Sequence, residues 1–118
     1  MPLQIADPAM LDEMLRAAAE SPRRRAHKNF HESLDDPIHR HRDKFELMTV
    51  LAGRMEITLY EADGTVTGRY EVGPGCAVRA MEIPAGVFHG NRVLEPTVML
   101  EVKPGPYVAV GPEDTLTL

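Results

Sequence analysis

The sequence predicts an all-β sandwich or barrel that carries one N-terminal α-helix. Three observations predict it: a helical apolar stripe occurs only before residue 21, the apolar period becomes two from Lys44 onward, and Gly/Pro turns punctuate that region at short intervals. A chain of 118 residues has room for one modest core. A helix over 7–20, a barrel over 27–104 and a tail over 105–118 are therefore expected to form one domain, 1–118.

The helix is read from "ADPAMLDEMLRAAAE". Asp7 is a capping residue type, Pro8 suits the first helical position, and Asp12 and Glu13 lie toward the positive end of the dipole. Met10, Leu11, Met14, Leu15 and Ala18 recur at spacings of three and four, and Ser21-Pro22 ends the pattern. The stripe is expected to pack on the main body.

In the β region "KFELMTVLAG" runs to Gly53, and "RMEITLYEA" sets Met55, Ile57 and Leu59 against Glu56, Thr58 and Tyr60. Asp63-Gly64 is a hairpin signal. "TVTGRYEV", a turn at 73–75, "AVRAMEI", a turn at 84–86, "VFHG" and "TVMLEVKP" read as further strands. Residues 104–118 hold three prolines and no period, and are expected to drape over the surface or cross to a neighbouring subunit.

Asp and Glu number 18 against 13 Lys and Arg, and the net charge of -5 argues against a nucleic-acid partner. The basic run Arg23-Arg24-Arg25 with Lys28 is short and reads as a solvated patch. The single cysteine, Cys76, excludes an intramolecular disulfide, suits a reducing cytoplasm and is expected to be a buried thiol. No apolar run approaches the ~20 residues of a membrane helix and no cationic leader precedes one, so a cytoplasmic protein without a membrane partner is expected.

The chemistry concentrates in "HRHRDKFE". Side chains alternate along a strand, so His39 and His41 point the same way with Cα atoms ~6.6 Å apart and can converge on one ion. Glu46 follows at an odd separation from His41, so it shares their face only if a turn or bulge intervenes around Arg42 and Asp43. In that case Glu46, Met48 and Val50 face the interior, and Phe45, Leu47 and Thr49 face the other way. His89 stands just after the turn Pro84-Ala85-Gly86, on a short strand able to return antiparallel to the first. Neutral imidazoles with one carboxylate suit Fe, Mn, Ni, Co or Zn as a divalent ion.

Together these pieces read His39-x-His41-x4-Glu46-x6-Gly53 and Pro84-x-Gly86-x2-His89, and at all seven positions they resemble the two halves of the cupin metal motif. The resemblance implies a double-stranded β-helix, or jelly-roll, barrel. It also implies that His39, His41, Glu46 and His89 hold one divalent transition metal with positions left for a small-molecule ligand. The flanking text "RRRAHKNFHESLDDPIHR", "DKFELMTVLAGRMEI", "DGTVTGRYEVGPG", "EIPAGVFHG" and "LEPTVMLEVKPGPY" is similar to the WbuC-type cupin-fold metalloproteins over Arg23 to Tyr107.

That family implies a bacterial protein acting on a small polar metabolite, such as a sugar or sugar-nucleotide intermediate of surface-polysaccharide synthesis. Its reaction is open between metal-dependent isomerase or lyase chemistry, an Fe(II)-dependent dioxygenase and a non-catalytic, ligand-binding or metal-stabilised cupin. No catalytic residue is assigned. A homodimer is expected, because small cupin barrels commonly pair sheets and because Phe45 to Leu51 is apolar on both faces.

The sequence departs from the family at one place. Cupins carry a further strand ahead of the His-x-His pair, whereas here "DDPIHR" runs directly into "HRDKFE". Either this is a shortened cupin in which His39 is a ligand, or a segment is absent and another residue is the first histidine. A lost strand leaves a sheet edge that something must cover. Asn91 also falls two residues after His89 rather than four. Of the remaining candidates, His31 is placed with His27 on an early strand and assigned with Met48, Arg79 and Met81 to the pocket lining. Lys44 is expected to point away from the metal, and Glu101, out of phase with Val98, Leu100 and Val102, to face solvent.

Overall fold

The computed structural model describes residues 7–20, 25–27 (backbone alone), 37–105 and 108–118. His31, Lys28, the helix stop Ser21-Pro22 and the side chains of Arg23 to Arg25 lie outside the described residues. With 49% of the described residues in strands and one α-helix among them, the fold is a mostly antiparallel sheet curled into a half-barrel.

Helix α1 spans Pro8–Glu20. Asp7 caps it, its Oδ1 accepting the N–H of Met10 at 2.9 Å, a contact worth about 1 kcal/mol. Asp12 and Glu13 lie one turn too far in to meet the first-turn amides. Of the predicted stripe Ala18 is fully buried and Met10, Leu11, Met14 and Leu15 are half-buried. The helix packs against strands β1 (Arg25–His27) and β6 (Phe88–Val102), as the stripe predicts.

The remaining strands are β2 (Ile38–His39), β3 (Glu46–Tyr60), β4 (Val66–Val72), β5 (Ala80–Ile83) and β7 (Thr115–Leu116). Two of them, β3 and β6, run 15 residues each and pair antiparallel from Leu47↔Val102 to Tyr60↔Phe88. Each merges two strands that the sequence reads as separate. The break expected at Gly53 is instead a run of register shifts between Val50 and Met55, opposite Pro96. Pro96 has no N–H to give the ladder, and a bulge tolerates that. Gly53 has φ 89°. A Cβ there would lie 2.1 Å from the carbonyl oxygen of Pro96, so only glycine lets the two backbones approach.

This bulge curls the ribbon and inverts its phase. Before it the even-numbered Glu46, Met48 and Val50 are buried; after it the odd-numbered Met55 and Ile57 are. The concave face so formed holds the core of Met48, Val50, Met55, Ile57, Val72, Ile83 and Met99. Methionine's flexible thioether fills the irregular space that a curled sheet leaves.

Strand β4 pairs with the second half of β3, through a turn in which Gly64 N–H donates to the Glu61 carbonyl at 3.0 Å. Strand β5 pairs with the first half, in register Glu46↔Ile83 and Met48↔Met81. It starts at Ala80, three residues later than "AVRAMEI" suggests. Val78 makes only an isolated bridge to Val72, and the chain before it is tied in a turn by Cys76 N–H to the Gly73 carbonyl at 3.1 Å. Cys76 is thus half-buried in a turn and not in the core.

At the other edge β2 lies between β6 and β7, His39 pairing with His89 on one side and with Thr115 on the other. The tail therefore folds back on its own chain. No helix among the described residues is long and apolar enough to cross a membrane.

Candidate metal centre

Curling the β3–β6 ribbon has one chemical result. His89 pairs with Leu59 near the end of β3, whereas Glu46 begins that strand. In a flat ribbon the 13 residue steps from Glu46 to Leu59 would span ~43 Å. In the half-barrel His89 Nε2 lies 3.2 Å from Glu46 Oε2.

His41 reaches the same oxygen, its Nε2 at 3.3 Å. The chain bends at Arg42 and Asp43, which supplies the change of phase needed to turn Glu46 inward beside the histidines. The turn before β6 is docked against this bend, Gly86 N–H donating to the His41 carbonyl at 2.6 Å. His39 enters from β2, its ring 5.1 Å from that of His41 and 4.5 Å from that of His89. The ligand atoms of His39, His41 and Glu46 all lie within 4.8 Å of one another. Three strands and one turn thus bring all four sequence-predicted ligands together.

The site is largely buried: Glu46 is 2% exposed, His89 1% and His39 7%, with His41 half-buried. Yet His41 Nε2, His89 Nε2 and Glu46 Oε2 are buried without any hydrogen bond of acceptable geometry. Three orphaned polar atoms facing one another are costly unless something electrophilic lies between them. Two rings are preset to donate electrons inward. The Nδ1 of His39 lies 2.7 Å from the Pro37 carbonyl and that of His89 lies 3.1 Å from the Val87 carbonyl. A carbonyl oxygen only accepts, so each Nδ1 carries the proton and each Nε2 keeps its lone pair for the centre.

The electrostatics agree. Burial alone would raise the Glu46 carboxyl, but contacts with His41 and His89 hold it well below the usual carboxylate range. Burial depresses His89, and Glu46 more than reverses this, raising it. His39 is lowered, chiefly by burial, which keeps it neutral. The carboxylate draws a cation, either a proton on His89 or a metal ion. The donor set of imidazole nitrogens and one carboxylate suits a divalent transition metal and fits these residues.

The other expected residues divide. Met48 is buried and paired with half-buried Met81 on the core side of the centre. Arg79 is exposed, its guanidinium donating to the Cys76 carbonyl at 3.3 Å, because β5 starts only after it. The sequence reading missed Glu101 and Lys103. Glu101 pairs with Met48, so it shares the concave face and does not point to solvent. It is half-buried, with Lys103 Nζ at 3.5 Å, and the two charges act on His89 and Glu46 respectively. The phase was misread because the bulge buries Val98 and Met99 in succession. The only cue in the sequence was Pro96.

A separate cleft of about 510 Å³ opens on the convex face, between Ile38, Tyr60, Arg69 and the Glu56–Arg92 pair. It is not lined by Met48, Arg79 or Met81.

Residues 6–72 match a family described as a domain of unknown function, DUF6016, a stretch that contains His39, His41 and Glu46 and stops short of His89. No curated protein and no solved structure matches the chain.

Proposed function

We propose that this chain, which belongs to the DUF6016 family, is a small cupin-type metalloprotein of the WbuC kind. His39, His41, Glu46 and His89 hold one divalent transition metal, and the site acts on a small polar metabolite. The observation that carries three of these ligands is the buried trio of His41 Nε2, His89 Nε2 and Glu46 Oε2, which have no hydrogen bond, and His39 joins them through ligand atoms within 4.8 Å of those of His41 and Glu46. The resemblance to WbuC-type proteins supports a sugar or sugar-nucleotide intermediate as the metabolite.

A divalent ion with four protein ligands supplies Lewis acidity and open positions for substrate oxygens. The chain's own residues do the rest. Met48 and Met81 exclude water from one side. Glu101, the concave-face carboxylate outside the ligand set, is placed to take or return a proton, and Lys103 to orient an anionic group. Dependence on Fe(II) with oxygen uptake would select a dioxygenase, and activity with Mn, Ni or Zn an isomerase or lyase.

A structural role for the ion is a second reading, favoured by the way the ligands join β2, β3 and β6 at the open end of the curled ribbon. Chelation separates the two: a structural ion takes much of the thermal stability with it, and an ion serving catalysis leaves the fold intact.

Elemental analysis of wild type, His39→Ala and His41→Ala tests the ligand set. One equivalent of metal in wild type, lost in both variants, is expected. Metal retained in His39→Ala removes His39 from the set, and no uptake by wild type after reconstitution overturns the proposal.

A further inference from the structure

In "HRHR" the two histidines alternate with two arginines, and alternation sends the arginines to the opposite face from the ligands. Both arginines end on one carboxylate. Arg40 Nε and Arg42 Nε donate to the same oxygen of Asp114, at 2.9 and 2.5 Å. Arg40 also donates its backbone N–H to the Asp114 carbonyl at 3.0 Å, and its guanidinium lies 4.6 Å over the Phe88 ring. Asp114 sits in a single 3-10 turn, Pro112–Asp114, closed by its own N–H to the Gly111 carbonyl at 3.0 Å. Strand β7 follows at once and pairs with β2, Ile38↔Leu116 and His39↔Thr115.

Strand β2 is only two residues long. So short a strand specifies its register poorly, and a slip of one residue would turn Arg40 into the centre and both histidines out of it. The clasp removes that freedom, because a slip would pull both guanidiniums off Asp114. It also covers the edge of β2 that faces away from β6.

We infer that the C-terminal segment 111–116 is a working part of the metal centre, with Asp114 as the positioning residue that fixes His39 and His41 in register for ligation. The inference rests on the proposed metal site. Residues that never touch the ion thereby set its affinity, as partners of ligands do elsewhere.

The test uses full-length protein and Co(II), whose visible absorption reports the number and arrangement of its ligands. Wild type, Asp114→Asn, Asp114→Glu and His39→Ala are titrated by competition with a chelator, and spectra are recorded at saturating Co(II). Loss of Asp114 is expected to weaken Co(II) binding by about tenfold or more. It should also shift the saturated spectrum toward that of His39→Ala, with partial recovery in Asp114→Glu. A merely structural role would lower the melting temperature but leave the saturated spectrum unchanged. Wild-type affinity and spectrum in Asp114→Asn overturn the inference and leave the metal site standing. No Co(II) uptake by wild type overturns both. If Asp114→Asn fails to fold, Arg42→Gln, which removes one arm of the clasp at an exposed side chain, is held to the same two readouts.

Discussion

Replacing Gly53 by alanine puts a methyl group where two strands cross most closely. The new Cβ would stand 2.1 Å from the Pro96 carbonyl oxygen and 2.8 Å from Thr97 Cα, both backbone atoms that no rotamer change can move. The left-handed φ of 89° costs a non-glycine residue about 1–2 kcal/mol by itself. Relief of the clash requires Pro96 and Thr97 to move away. The buried Thr97 hydroxyl, which accepts from Arg54 N–H at 3.2 Å and lies 2.7 Å from the Glu95 carbonyl, then loses its partners. Two lost hydrogen bonds add about 1–3 kcal/mol. The sum is about 2–5 kcal/mol, or ~8–20 °C in melting temperature for a chain of this size.

Gly86→Ala is the matched control. Gly86 has φ 84° and nothing within 4 Å of its added Cβ, so it bears the backbone strain alone. Thermal melts of both variants without metal separate the two contributions. Gly53→Ala should melt well below Gly86→Ala, and should also lose metal uptake as the ribbon opens and carries Glu46 away from His89. Equal melting temperatures would refute the argument that this contact sets the curl.

Three further outcomes follow from the same geometry. Adding a tightly bound divalent metal at one hundred times its Kd should stabilise wild type by about 2.7 kcal/mol and leave Glu46→Gln unchanged in a melt, since that variant lacks the central acceptor. The Asp114 carboxyl is held below its ordinary value by hydrogen bonds from Arg42 first and then Arg40. Its contribution is therefore complete above about pH 4, the ordinary carboxylate value, and is lost as pH falls through the lowered folded one. Metal-free melts of wild type and Asp114→Asn should differ near neutral pH and converge in acid. Finally, Leu47 and its cross-strand neighbour Val102 are exposed on the convex face with Phe45 beside them. If a second copy covers this patch, sedimentation should find a dimer for wild type and a monomer for Leu47→Lys; a monomeric wild type ends that reading.

Much of this architecture was legible because its determinants are local. Asp7-Pro8 and the stripe behind them specify a helix, Asp63-Gly64 a hairpin, and the alternation around Glu46, Met48 and Val50 a concave face once a bend follows His41. What was not legible depended on contact between distant segments. Gly53 and the stretch between "VFHG" and "TVMLEVKP" read as breaks between strands, and the structure uses Gly53 and Pro96 together as a bulge that continues both strands around a corner. The bulge buries Val98 and Met99 in succession, so the phase read from Val98, Leu100 and Val102 sends Glu101 to solvent although it shares the concave face with Met48. Arg79 leaves the expected pocket lining for a related reason: β5 begins just beyond it, so strand alternation does not set where it points.

The departure from the cupin pattern just ahead of His39 is where sequence and structure bear most directly on each other. If the chain is a shortened cupin, the edge of whatever carries the first ligand should be exposed, since "DDPIHR" runs directly into "HRDKFE". The cover comes from the other end of the chain, some 75 positions away, where Asp114 and β7 occupy the edge of β2. No period or composition in 104–118 announces this. Its one sign is a lone acidic pair, Glu113-Asp114, in a segment otherwise without charge, and a partner for it in the twin arginines of "HRHR". The edge argument predicts that some segment must be there; only the fold reveals which. In the proposed site this cover comes from the same chain, so metal affinity should be independent of protein concentration even where the convex faces pair.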